Sequence, residues 1–271
     1  MTEDDQLEPA YGPEQRYRTR DDQVDIERLR LSMLAEARDP KTFGLLSRVE
    51  IAEGMHCLEV GAGTGTVSAW MADKVGASGR VMSTDIDLQF HAEMPANVIL
   101  REHDIESDSL PREHFDIVHA RAVLQHVPSR DEVVGKLVEA LKPGGWLIVE
   151  DTSLLGFRQQ RLPEPYRTIH QIMTEEGLND WRDSNFGIQV LSRMREIGLV
   201  DLDVVGDVWA MHPHEPSGEW WYLAFERAIP YMVAAGVANE ADCSSALEQV
   251  RSEDFVMMSP AWLATLGRKP R

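Results

Sequence analysis

One short stretch carries the densest chemistry: Leu58-Glu59-Val60-Gly61-Ala62-Gly63-Thr64-Gly65, an apolar run with a single acid that breaks into three alternating glycines before Thr66-Val67. Glycine has no Cβ, so its main chain can turn through positive φ and a ligand can approach the backbone closely. Where a strand runs into a helix, the first N–H groups of that helix have no partner inside it. The stretch therefore reads as a cradle for a small polar ligand at the carboxyl edge of a parallel sheet. A tight strand-to-helix turn with nothing bound is the plain alternative, and three alternating glycines exceed what such a turn needs. Their spacing narrows the ligand. A dinucleotide site places its third glycine three residues after the second, whereas here Gly63 is followed by Gly65 and position 66 is Thr. Glu59 would also repel a pyrophosphate. The acid suits a ligand carrying an ammonium or sulfonium charge.

The elements that must hold this stretch follow from periodicity. His56 to Val60 reads as a strand, and Val67, Trp70, Met71 and Val75 share one helical face that Gly76 can end. Strands are expected at Arg80–Thr84, stopping at Asp85, at Asn97–Leu100, at Phe115–His119 and at Trp146–Glu150. Ser129-Arg130-Asp131-Glu132 has the form of a capping box opening a helix to Leu141. Before the glycines, Val24–Arg38 reads as an amphipathic helix, followed by a separate apolar group, Phe43, Leu45, Leu46 and Val49. Further on, a helix is expected over Asn185–Ile197, a strand over Leu202–Val208, helices over Ser217–Ala235 and Asn239–Val250, and a last strand within Phe255–Leu266. Strands alternating with helices predict an α/β fold built on a parallel sheet with helices on both faces. Residues 1–22 read as a flexible tail and 23–271 as one domain, with cap insertions at about 153–184 and 209–252.

With these motifs in order, the sequence resembles the class I S-adenosylmethionine-dependent methyltransferases, strongly over about residues 40–152 and loosely beyond. Among these it is similar to stand-alone bacterial small-molecule enzymes. The likeness rests on Glu59 through Gly65, on Phe115-Asp116-Ile117-Val118 with Leu124-Gln125-His126-Val127, and on Leu141-Lys142-Pro143-Gly144-Gly145-Trp146. It implies a Rossmann-like, seven-stranded, mostly parallel sheet with an inserted helical cap. It implies that Glu59, Gly61, Ala62, Gly63, Thr64 and Gly65 wrap the methionyl part of S-adenosylmethionine. By the same likeness, Asp85 holds the ribose hydroxyls with Ile86 beside the adenine, Asp104 meets the adenine amino group with Ile105 next to it, and Arg121 lines the methionine end. Asp85 and Asp104 also fit simple turn formers, and Arg121 a salt-bridge partner. The product of such a reaction is S-adenosylhomocysteine.

His126, after the fourth strand, is the candidate general base, with packing as its plain alternative; His119 lies within the strand and can face a helix. In the cap segments, His170, Trp181, Trp220 and Trp221 are the substrate candidates, with His212, His214, Trp209 and Tyr222 nearby. Trp220 and Trp221 cannot both face a core from one helix, and this Trp-rich helix is a candidate homodimer surface. The chain has 271 residues and a net charge of −19, from 27 basic against 46 acidic residues, which disfavours nucleic acid and anionic membranes as partners. No apolar run approaches a bilayer span and the acidic start lacks a secretion signal, so a cytoplasmic protein is expected. Cys57 and Cys243 form no Cys-x-x-Cys pair, and no metal-ligand set is readable. The expected activity is methyl transfer to an O or N atom of a small specialised metabolite. The rivals are a same-fold enzyme using the cofactor structurally, as for a cyclisation, and a cofactor-sensing regulatory protein.

Overall fold

The structure, a computed structural model, describes residues 19, 21–174 and 182–271. Its frame is a seven-stranded sheet in the order β3-β2-β1-β4-β5-β9-β6. The strands are β1 (His56–Val60), β2 (Arg80–Asp85), β3 (Val98–Glu102), β4 (Phe115–Arg121), β5 (Leu141–Ser153), β6 (Val200–Asp207) and β9 (Ala261–Arg268). β1 to β5 pair in parallel, while β9 runs antiparallel to both β5 and β6. Parallel neighbours require crossovers. These are α2 (Thr66–Val75) between β1 and β2 and α3 (Arg130–Ala140) between β4 and β5, while α6 (Val190–Glu196) precedes β6.

Two apolar cores follow from the alternation of side chains across the sheet. On one face Leu58, Val60, Val118 and Val149 pack with Leu137 of α3 and Met194 of α6. On the other, Cys57, Ile117 and Ile148 pack with Met71 of α2 and Leu46 of α1 (Val24–Leu46). A third core belongs to a helical layer made by α4 (Leu155–Arg158), α5 (Tyr166–Thr174), α7 (Pro216–Ala234) and α8 (Glu240–Arg251), with a two-stranded ribbon, β7 (Ala210–Met211) and β8 (Met257–Met258). This layer continues directly from the carboxyl end of β5, where Leu154 joins its core.

Several local expectations are corrected. α1 does not stop at Arg38 but runs through Pro40 to Leu46, so the apolar group after it is the end of the same helix. Its buried Leu45 and Leu46 against the sheet outweigh the hydrogen bond lost at the proline. Asp21–Gln23 is a 3-10 turn and not part of a loose tail, because buried Gln23 bonds to Arg227 O at 3.3 Å and accepts from Tyr231 Oη at 3.1 Å. The capping box at Ser129 does not close: its hydroxyl donates instead to Glu106 Oε1 at 2.7 Å. Asn185–Ile197 divides into a 3-10 turn, Phe186–Ile188, and α6, since Gly187 lies against the Asp151 carbonyl where no side chain fits. The last strand extends to Arg268. Residues 1–18, 20 and 175–181 lie outside the description. Among the described residues no helix is long and apolar enough to cross a membrane.

Candidate functional site

β1 ends at Val60 and the chain turns at once through Gly61, Gly63 and Gly65, with φ of +67°, +55° and +82°. Side chains rarely adopt this region, and each glycine has a different further reason. A Cβ on Gly61 would run into Val123, and one on Gly65 into Met94. At Gly63 the nearest atom is Leu31 Cδ2 of α1 at 3.6 Å, an ordinary contact distance, so a Cβ would meet no clash there. Asp85, the last residue of β2, closes this cradle from the side: its Oδ2 accepts from Gly63 N at 2.8 Å and its Oδ1 from Asp87 N at 3.1 Å. Burial pushes the Asp85 carboxyl up, against the pull of those N–H groups. Ile86 is half-buried beside it. Across the cradle stand His91, whose Nε2 is 3.3 Å from Ser83 Oγ, and Met94. Periodicity missed both because they lie in an irregular connection.

Asp104 sits just beyond β3, where its carboxylate takes Glu106 N at 2.9 Å and Ser107 Oγ at 3.1 Å. Ile105 does not stand in the open beside it; it is buried in the core with Leu58 and Leu137. Glu59 also departs from expectation. Its side chain does not face the cradle, because the pleat turns it toward α1, where its Oε2 meets His119 Nδ1 at 2.8 Å. His119 Nε2 lies 3.0 Å from Glu150 Oε1, and Glu150 Oε2 is 3.6 Å from Arg38, whose Nη1 holds Asp207 at 3.1 Å. Burial alone would lower the His119 pKa; the two carboxylates on its ring outweigh it and hold it up at about 9. Burial would likewise raise Glu150, but His119, Arg121 and Arg38 pull it down to about 2. Arg121 is drawn away from the cradle too, to Asp39 Oδ1 at 2.9 Å and Thr42 Oγ1 at 3.0 Å on α1.

Just past Arg121 the backbone is strained. Ala122 has φ +56°, held there by its N–H donating to Glu150 O at 2.7 Å. The next residues form a 3-10 turn, Leu124–His126, whose His126 Nε2 lies 3.3 Å from Gln125 Nε2. Burial, then Arg182, Arg30, Arg227 and Arg130, keep His126 well below the ordinary imidazole range.

A methyltransferase-domain family model matches residues 26–193, well over half of the chain and every part of the cradle. The chain belongs to this methyltransferase family. Among curated relatives it is 29% identical over 216 residues to methyltransferase GfsG of Streptomyces halstedii, covering 76% of this chain and 73% of that one. It is 33% identical over 113 residues to methyltransferase str3 of Strobilurus tenacellus, covering 41% of this chain and 40% of that one. The match thus spans about two fifths of the Strobilurus relative's length. Among solved structures, a Bacillus halodurans methyltransferase superposes with a TM-score of 0.54 at 18% identity, covering 84% of this chain and 98% of that one. Phosphoethanolamine N-methyltransferase 2 of Haemonchus contortus, solved with phosphomonomethylethanolamine and S-adenosylhomocysteine, gives 0.52 at 17% identity, over 86% and 53%. The [4+2]-cyclase SpnF gives 0.53 at 18% identity, over 87% and 82%. These likenesses show the fold, a class I methyltransferase sheet.

The cofactor of this methyltransferase is S-adenosylmethionine. The residues present fit it: of the three loop glycines Gly63 is the one where a Cβ would meet no clash, and Asp85 offers a carboxylate beside it. In the helical layer, His170 and Trp221 are not wall residues. They are core, with the Phe157 ring 4.6 Å from His170 and 4.7 Å from Trp221, and with Trp221 Nε1 donating to Tyr166 Oη at 2.5 Å. Burial and then Arg158 push His170 down to about 4, so it is neutral. Trp220 is half-buried between Trp221 and Trp262. His212 and His214 are exposed, and Trp181 lies outside the described residues.

Proposed function

We propose that this methyltransferase moves a methyl group from S-adenosylmethionine to an O or N atom of a small organic molecule, a specialised metabolite. The observation that carries the reading is the meeting of Gly63 N and Asp85 Oδ2 at 2.8 Å, at the loop glycine where a Cβ would meet no clash. That juxtaposition suits a ligand with an amino-acid arm on one side and a sugar diol on the other. In this reading the main chain from Gly61 through Ala62, Gly63, Thr64 and Gly65 receives the methionyl arm. Asp85 takes the ribose hydroxyls with Ile86 against the base, and Asp104 takes the adenine amino group. The whole-chain charge of −19 favours a small acceptor over nucleic acid.

When bound, the cofactor supplies an electrophilic methyl on a sulfonium, and the barrier is lowered chiefly by alignment. The chain's own part is positioning and proton removal. Glu59 acts from behind the loop through His119, and Arg121 acts by fixing α1 over the cradle. His126, neutral at pH 7, is the side chain placed to accept the acceptor's proton. The likeness in fold to SpnF favours a second reading, in which the cofactor stays intact while the pocket promotes a cyclisation. Calorimetry with S-adenosylhomocysteine, then an acceptor screen that follows its release, tests the proposal. Saturable binding and acceptor-dependent release support it. No binding refutes it, and binding with product formed but no release points to the cyclase.

A further inference from the structure

Four arginines, Arg182, Arg30, Arg227 and Arg130, bear on His126 in a chain whose net charge is −19. α1 brings Leu31 over Gly63, and the preceding residue, Arg30, holds Glu27 through Nε and Nη2, both at 2.7 Å. Glu27 also accepts from Arg227 of α7 at 2.7 Å, so one carboxylate serves two guanidinium groups. From the other side comes Arg182, anchored by the next residue, whose N–H donates to Gln125 O at 2.8 Å beside His126. Arg182 Nε is buried without a hydrogen-bond partner. Burial, Arg30 and Arg158 together press its guanidinium down to about 10, a sign of mutual repulsion among cations.

One acid, Asp151, opposes this, but by less than burial and the two cations. Asp151, one residue past Glu150, is 0% exposed and neither carboxyl oxygen has a hydrogen-bond partner. Burial, reinforced by Glu150, keeps it well above the usual carboxylate range. An Nε–H buried without a partner is costly unless an acceptor completes it. We infer that Arg182 binds an oxyanion, a carboxylate or phosphate ester, on the methyl acceptor, with Arg30 adding to the field that attracts it. The inference rests on the methyltransferase reading for the word acceptor. It also bears on His126, which sits in the same arginine field: an oxyanion there offsets the field and lets the imidazole take a proton more readily.

The same chemistry has a second source, the carboxylate of the cofactor's own amino-acid arm, and the test separates the two. Full-length protein saturated with S-adenosylhomocysteine is titrated calorimetrically with benzoate, phenyl phosphate and uncharged benzyl alcohol. We expect saturable binding of at least one anion and none of the alcohol. Arg182→Gln should weaken the anion by roughly tenfold or more, Arg182→Lys by less, with S-adenosylhomocysteine affinity and melting temperature unchanged. Absence of anion binding to the wild type overturns the inference, as does binding that Arg182→Gln leaves intact. A variant that loses S-adenosylhomocysteine instead would assign Arg182 to the cofactor and equally overturn it. If the wild type itself fails to bind S-adenosylhomocysteine, the proposed function falls, and the anion titration on the unliganded protein still decides the role of Arg182.

Discussion

At Gly61 and Gly65 any side chain meets Val123 or Met94, so substitution there disturbs packing before it disturbs a ligand. At Gly63 a Cβ would meet only Leu31, at an ordinary 3.6 Å, so its replacement separates the two effects. Gly63→Leu should abolish S-adenosylhomocysteine binding in calorimetry while lowering stability by only ~1–2 kcal/mol, the cost of a side chain at φ +55°. A variant that binds normally would show that Gly63 does not line the cofactor's site. Asp85→Ala removes the partner of Gly63 N and, in our reading, the ribose contact; it should weaken binding by ~1–3 kcal/mol, or about fivefold to 150-fold. An effect on turnover with unchanged affinity would displace Asp85 from the cofactor. Both residues stand out in the sequence because glycine and acid in these places answer backbone geometry and charge, which are local properties. Glu59 and Arg121 are legible as functional types but not in their direction, since their true partners, His119 and Asp39, lie on other elements.

Among elements, α1 has the widest reach. It covers the cradle with Leu31, pairs Asp39 with Arg121 at the end of β4, and joins α7 through Glu27 and Arg227. Periodicity marks this helix but ends it at Arg38, before the turn carrying Asp39 and Thr42. The pair between Arg121 and Asp39 is largely sheltered, with side chains 11% and 14% exposed, so removing one partner leaves the other charge uncompensated. Asp39→Ala should destabilise the protein by ~3 kcal/mol at most, somewhat less than for a fully buried pair, and should speed hydrogen exchange in α1 more than in β1 or β4. Uniform exchange across all three would mean that the helix is not tethered there. The same reasoning explains why the segments carrying His170 and Trp221 read as a substrate wall but fold as a core: aromatic residues at helical spacing fit either, and only the neighbouring α4 and α8 decide.

Across the whole molecule, alternating charges on Glu59, His119, Glu150, Arg38 and Asp207 run through β1, β4, β5, α1 and β6. Arg38 is further stacked near Trp262 and Trp209, at 4.7 and 5.1 Å. His119 keeps its proton in the fold up to about pH 9, while an unfolded imidazole releases it near 6.5. Its stabilising contribution is therefore complete below 6.5 and is lost as pH climbs through 9. Glu150 works in the opposite direction: its contribution holds above 4.5 and disappears as pH falls toward 2. Melting temperature should decline between pH 7 and 10, and His119→Gln should be less stable at pH 7 with a flatter alkaline limb. An unchanged alkaline slope in the variant would remove His119 from this role.

What the sequence determined alone was whatever short-range rules govern: the strand, glycine and helix succession of the cradle, the acids that end β2 and follow β3, and the alternation that makes a parallel sheet. Periodicity and turn chemistry act over a few residues, so they can be read along the chain. The tertiary structure decided which charges meet. Glu59 and His119 are sixty residues apart and Arg38 and Asp207 farther still, and whether a charged side chain faces a ligand, a helix or another charge depends on what the packed sheet brings within a few ångströms of it.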